Sequence, residues 1–202
     1  MDSATSTDHR YLPETVQRSV KILVLGGFGV GKTTLIGSVS EIEPLSTEEV
    51  MSDASTGVDD LTGVGRKTHT TVALDFGRIT LRRRIVLYLY GAPGQRRFWD
   101  LWEGLAEGAL GVLVLVDTRR LEGAFDVLDQ LEHMPGLPFA VAVNHFPDSR
   151  AHPVAELREA LDLPAHVPVI DCVAPDRVTS LAALTTLTDH AMRVLATREG
   201  RS

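Results

Sequence analysis

At 202 residues, 44% apolar and 23% charged, the chain has the size and composition of one globular domain. That excludes a collagen-like or wholly disordered chain. Apolar runs as short as Ala109–Val116 fall well below the roughly 20 residues a membrane span needs. The net charge of −7 argues against a general nucleic-acid binder, and it is local. Residues 41–60 hold seven carboxylates and no Lys or Arg, whereas residues 61–120 are net basic, ten against five. Cys172, the single cysteine, cannot close an internal disulfide, and Met1-Asp2-Ser3 reads neither as a secretion signal nor as a myristoylation site. A cytoplasmic protein without direct membrane insertion is expected.

Residues 1–18 read as a polar, flexible extension, followed by one α/β domain over 19–202. Ser19–Gly26 reads as a buried strand, then a glycine-rich turn, then a helix from Lys32 to about Val39. Residues 40–68 are acidic and rich in Ser, Thr and Gly, and a loop of that length inside a compact domain is functional or disordered. Thr71–Thr80 and Arg84–Tyr90 read as strands joined by a hairpin at Arg82-Arg83-Arg84. Arg97–Leu110 has a helical apolar face of Phe98, Leu101, Trp102, Leu105 and Ala106. Strands at Gly111–Asp117, Phe139–Asn144 and Val167–Cys172 alternate with helices at Glu122–His133, Val154–Leu161 and Thr179–Thr197. The last carries a stripe of Leu181, Leu184, Leu187, Ala191 and Val194–Leu195. This alternation implies a mostly parallel central sheet flanked by helices on both faces.

Gly26-x4-Gly31-Lys32-Thr33 matches the phosphate-loop pattern G-x-x-x-x-G-K-[ST], between an apolar strand and a helix as the chemistry requires. Gly27, Gly29, Val30 and Gly31 would wrap backbone N–H groups around phosphate oxygens, aided by the helix N-terminus. Lys32 would reach the β- and γ-phosphates, with Thr34 beside it, and the Thr33 hydroxyl would ligate Mg²⁺. The motif establishes a nucleoside triphosphate site without choosing among kinase, motor, ATPase and GTPase.

Three phrases downstream narrow the choice. Thr70-Thr71-Val72-Ala73-Leu74-Asp75-Phe76 follows the acidic loop, Gly91-Ala92-Pro93-Gly94-Gln95-Arg96-Arg97-Phe98-Trp99 follows a strand, and Asn144 ends a later one. In this order they resemble the Ras-like small GTPases over about residues 19–197: a P-loop NTPase with a Ras-like G domain. The T-x-x-x-D-F phrase is similar to the switch I exit of Rab-type members, and P-G-Q-x-x-F to switch II of the bacterial MglA-like branch. With Val116-Asp117-Thr118-Arg119-Arg120, the chain most resembles the small GTPase-like component of actinobacterial conservon operons. The resemblance implies switch I over about 40–71 and switch II over about 91–102. Thr71, with Thr70 as its alternative, would ligate Mg²⁺. The Gly94 N–H would bind the γ-phosphate, and Gln95 would orient the attacking water, with Lys32 stabilising transferred charge. Asn144 would tie the base loop to the phosphate loop, and Ala174 would lie in the last base-contact loop. GTP or GDP would be the bound nucleotide. A roadblock-fold regulatory protein and a histidine-kinase-like sensor would be the partners, with recruitment to the membrane through them.

The chain departs from the family at three places. The acid of D-x-x-G, which reaches Mg²⁺ through water, is Gly91 here, and Asp117 is available either to that site or as a helix N-cap. The base motif N-K-x-D reads Asn144-His145-Phe146-Pro147, with Asp148 one residue late as the remaining acid for guanine. His145 stands where a lysine stacks over the base. Arg66, Arg78, Arg82–Arg84, Arg96, Arg97, Arg119 and Arg120 surround the inferred site as a solvated face, any one being available as a catalytic arginine. Phe98 and Trp99 read as core or as a partner-facing patch. The expected function is a nucleotide-dependent switch with slow GTP hydrolysis. Its rivals are a nucleotide-binding scaffold without hydrolysis and a P-loop kinase.

Overall fold

A computed structural model describes residues 18–46, 74–81, 85–94, 99–134 and 136–199. The first strand, β1 (Arg18–Gly26), changes from exposed at Arg18 to fully buried from Ile22 onward. It takes in Arg18, which the sequence suggested belonged to the extension. β1 lies between two parallel neighbours, β4 (Ile85–Gly91) and β5 (Ala109–Val116). A strand buried on both faces must be apolar throughout, which is why Ile22-Leu23-Val24-Leu25 shows no alternation. Ile22 and Val24 enter one core, with Leu35 and Ile36 of α1 (Lys32–Val39) and Leu184 and Leu187 of α5 (Arg177–Glu199). Leu23 and Leu25 enter the other. There they join Trp102 of α2 (Trp99–Ala106), Val127 of α3 (Glu122–Glu132) and Leu157 of α4 (Val154–Ala160).

With β2 at Leu45–Ser46, β3 at Asp75–Leu81, β6 at Phe139–Asn144 and β7 at Val169–Cys172, the sheet order is β2-β3-β4-β1-β5-β6-β7. β3 (Asp75–Leu81) runs antiparallel to β4, and the two-residue β2 (Leu45–Ser46) antiparallel to β3. All other pairs are parallel. The α/β sandwich expected from the sequence is therefore present. β2 is an addition: the acidic segment leaving α1 hydrogen-bonds to the sheet edge at Asp75 and Phe76 before residue 47.

Several boundaries move. The helix expected over Arg97–Leu110 ends at Ala106 within the described residues, and Ala109 and Leu110 belong to β5. Gly108, at φ 68°, makes the turn that reverses the chain there. The last helix runs past the expected Thr197, but its stripe ends at Ala191, since Leu195 is 36% exposed. The Arg82–Arg84 hairpin lies outside the described residues. No helix among the described residues is long and apolar enough to cross a membrane.

Candidate functional site

Gly26, Gly91, Val116, Asn144 and Cys172 are the C-terminal ends of five strands, four of them parallel to β1. Sheet order reverses direction at β1, and ligands of such sheets bind outside the strand ends at that point. The phosphate loop stands there. Gly29 and Gly31 have φ of 70° and 103°, conformations that glycine adopts freely. At Gly31 a Cβ would also stand 2.6 Å from Asn144 Nδ2, so the loop packs directly on β6. Lys32 folds back over the loop. Its Nζ donates to the Gly26 and Gly27 carbonyls at 3.0 and 2.9 Å, the position an incoming phosphate would take over. Burial lowers its ammonium from 10.5 to about 8, against the opposing charge of Asp75.

Thr33, the expected Mg²⁺ ligand, donates its hydroxyl proton to Asp75 Oδ2 at 2.7 Å. The sequence alone assigns Asp75 no role beyond the T-x-x-x-D-F phrase. The available signal is an acid that opens a loosely alternating strand paired with the strand ending at Gly91. Gly94 lies against the loop, so closely that a Cβ would run into the Gly26 carbonyl. That brings the segment after β4, where the resemblance puts the start of switch II, to the phosphate loop. The indole of Trp102 donates to Pro93 O at 3.0 Å and anchors that segment to α2. Trp99 packs against the same core, as expected for a core aromatic. Thr70, Thr71, Gln95, Arg66, Arg96, Arg97 and Phe98 lie outside the described residues.

On the base side, Asn144 is buried and makes the link expected of it. Its Nδ2 donates to Val30 O at 2.8 Å, and its Oδ1 accepts from the Ala174 N–H at 2.9 Å. Gly31, Thr34, Asn144, His145, Phe146, Pro147, Val173, Ala174 and Pro175 line an open cleft of about 510 Å³ beside the loop. Ala174, expected in the last base-contact loop, lines this cleft, and its N–H is committed to Asn144. The Val173 and Phe146 N–H groups are taken by Thr179 Oγ1 and Ser149 Oγ, the His145 N–H by Cys172 O, and Pro147 and Pro175 have none. His145 itself turns to Asp171, at 2.7 Å.

Asp148 does not line the cleft. Arg119 holds its carboxylate at 2.6 Å while also gripping Asp117 at 2.8 Å and lying 3.7 Å over the Phe146 ring. The Asp117 side chain is 3% exposed, and Arg119 holds its carboxyl well below the usual range. The Asp117 carboxylate accepts the Arg119 N–H within a turn. The α3 N-cap position is Leu121, so Asp117 does not cap that helix. Arg120 donates to Phe28 O at the loop tip.

The family described as "Conserved hypothetical ATP binding protein" matches residues 24–194. Among curated relatives, "Uncharacterized protein MJ1339" of Methanocaldococcus jannaschii is 26% identical over 126 residues, covering 62% of this chain and 69% of that protein. Ras-related protein Rab-40B and Ras-related protein Rab-40A-like, both of Homo sapiens, are 29% and 28% identical over 124 residues. Each of those matches covers 59% of this chain and only 38% of the human protein. A phosphate loop at the sheet's reversal point, tied by Asn144 to a base-side cleft, accords with that family match, and the chain belongs to the conserved hypothetical ATP binding protein family of P-loop nucleotide-binding proteins.

Proposed function

We propose that the protein is a nucleotide-dependent switch that binds GTP and GDP with Mg²⁺ and hydrolyses GTP slowly. The carrying observation is the Asn144 clasp. One buried amide fixes the phosphate loop to the base-side loop, so that occupancy of the phosphate end and of the cleft are mechanically linked. The likeness to the Ras-related proteins supports the reading of that link as a switch. Thr33 and Asp75 offer hard oxygen donors of the kind Mg²⁺ takes alongside phosphate and water. In this reading Thr71 and Gln95 complete the switches when the γ-phosphate is present, and its loss releases Gly94. The output is a change of partner: by resemblance, a roadblock-fold protein and a histidine-kinase-like sensor.

The committed N–H groups of the cleft leave the base held by shape and apolar contact, with Asp148 as the acid available once it leaves Arg119. Guanine preference over adenine is therefore small. Competition of GTP and ATP for a fluorescent GDP complex measures the ratio. Single-turnover hydrolysis with and without Mg²⁺ tests the enzyme directly. Equal displacement by both nucleotides together with no Mg²⁺-dependent hydrolysis would leave a nucleotide-holding scaffold in place of a GTP switch.

A further inference from the structure

Resting on that reading, we propose that Asp75 supplies, from the neighbouring strand, the carboxylate that the phosphate-loop metal site lacks at position 91. The register places Asp75 directly opposite Gly91 across β3 and β4, where side chains project from the same face of the sheet. A Cβ at Gly91 would stand 3.0 Å from Asp75 Cβ and 3.1 Å from Asp75 Oδ2. The space an acid at position 91 would enter is thus already filled by an acid from β3. The missing carboxylate and the glycine are two sides of one exchange, since Gly91 must stay small for Asp75 to lie there.

The hydrogen bond to Thr33 gives this carboxylate its role. Thr33 follows the loop lysine, on the first turn of α1, and its hydroxyl donates to Asp75 Oδ2 at 2.7 Å. A hydroxyl whose proton is committed to a carboxylate turns its lone pairs away from it, toward a cation. Asp75 is 9% exposed, so its charge lies in a largely desolvated place, where a divalent cation is a favourable neighbour. Mg²⁺ keeps several waters and takes few protein oxygens. Thr33 would be the protein ligand, and Asp75 a positioning residue that holds the Thr33 hydroxyl and accepts from the cation's water. Partners of this kind typically change metal affinity by about 10–100-fold when removed.

The test measures Mn²⁺ binding to the protein–GDP complex by electron paramagnetic resonance, with GDP affinity measured separately in EDTA. Asp75→Asn keeps the size and can still accept from Thr33. The exchange variant Asp75→Gly/Gly91→Asp moves the acid to β4, where its Cβ meets the flexible end of the Ile36 side chain at 2.8 Å. The expected result is a loss of Mn²⁺ affinity of about 10–100-fold in Asp75→Asn, with GDP affinity in EDTA within twofold of wild type. A folded exchange variant should recover at least tenfold over Asp75→Asn. Unchanged Mn²⁺ affinity in Asp75→Asn overturns the assignment. So does an equal loss of GDP affinity in EDTA, which would make Asp75 a brace of the loop. Failure of wild type to bind GDP under either condition overturns the nucleotide-switch reading itself, and this inference with it.

Discussion

Asn144 illustrates how much one buried amide can decide. Both halves of its side chain are used, one on Val30 O and one on the Ala174 N–H. Asn144→Ala strands a buried carbonyl and a buried N–H, each costing about 1–3 kcal/mol when left unpaired. Urea unfolding should show a loss of about 2–4 kcal/mol, and nucleotide affinity should fall with it. Asn144→Asp keeps the acceptor for Ala174 but sets a buried carboxylate against the Val30 carbonyl, so at pH 7 its loss should be at least as large as that of Asn144→Ala. Gly31→Ala is strained twice, by a φ of 103° and by the approach to Asn144 Nδ2. It should cost at least about 1–2 kcal/mol in the same assay and reduce nucleotide binding. Asp117 makes a pH prediction. Its folded carboxyl titrates below the ordinary 3.8, so its stabilising contribution is fully present above that value and is lost as pH falls from there through the lower folded value. The melting temperature of wild type should exceed that of Asp117→Asn at pH 7, and the gap should begin to narrow below about pH 5 and go on narrowing as pH falls past 3.8 toward the lower folded value. A gap that is constant with pH would show that the Arg119 contact does not depend on the charge of Asp117.

At the scale of elements, the sheet was legible where its signal is local. Ile22–Leu25 and Leu113–Val116 are unbroken apolar runs, and G-x-x-x-x-G-K-T fixes strand, loop and helix within a dozen residues. The phosphate loop is therefore legible in the sequence alone. Asp75 was not, because its importance comes from register: its partners are Thr33, 42 positions earlier, and the glycine facing it on β4. Asp148 was assigned to the base from its nearness to Asn144, whereas Arg119, 29 positions away, holds its carboxylate. The end of α2 was misplaced because Ala109 and Leu110 continue an apolar pattern that period alone cannot divide between helix and strand. The Trp102 indole supplies a prediction at this scale. Trp102→Phe keeps most of the apolar volume but removes the hydrogen bond to Pro93 O, a net loss of about 1 kcal/mol. Because Pro93 precedes Gly94, hydrogen exchange of the Gly94 amide should quicken in the variant. An exchange rate identical to wild type would show that the indole does not anchor Pro93.

For the molecule as a whole, a two-layered core supports a set of strand ends at which the phosphate loop, the Pro93–Gly94 segment and the cleft beside Asn144 converge. The central claim is that this convergence is a nucleotide site operated through Lys32. Its ammonium now rests on two carbonyls of its own loop, contacts that nucleotide phosphate would replace. Lys32→Ala removes the charge without touching the two cores. Titration of wild type and Lys32→Ala with a fluorescent GTP analogue, alongside circular dichroism, tests the account most directly. The account predicts at least a tenfold loss of affinity in a variant whose spectrum matches wild type. Wild-type affinity in a folded Lys32→Ala protein would contradict it.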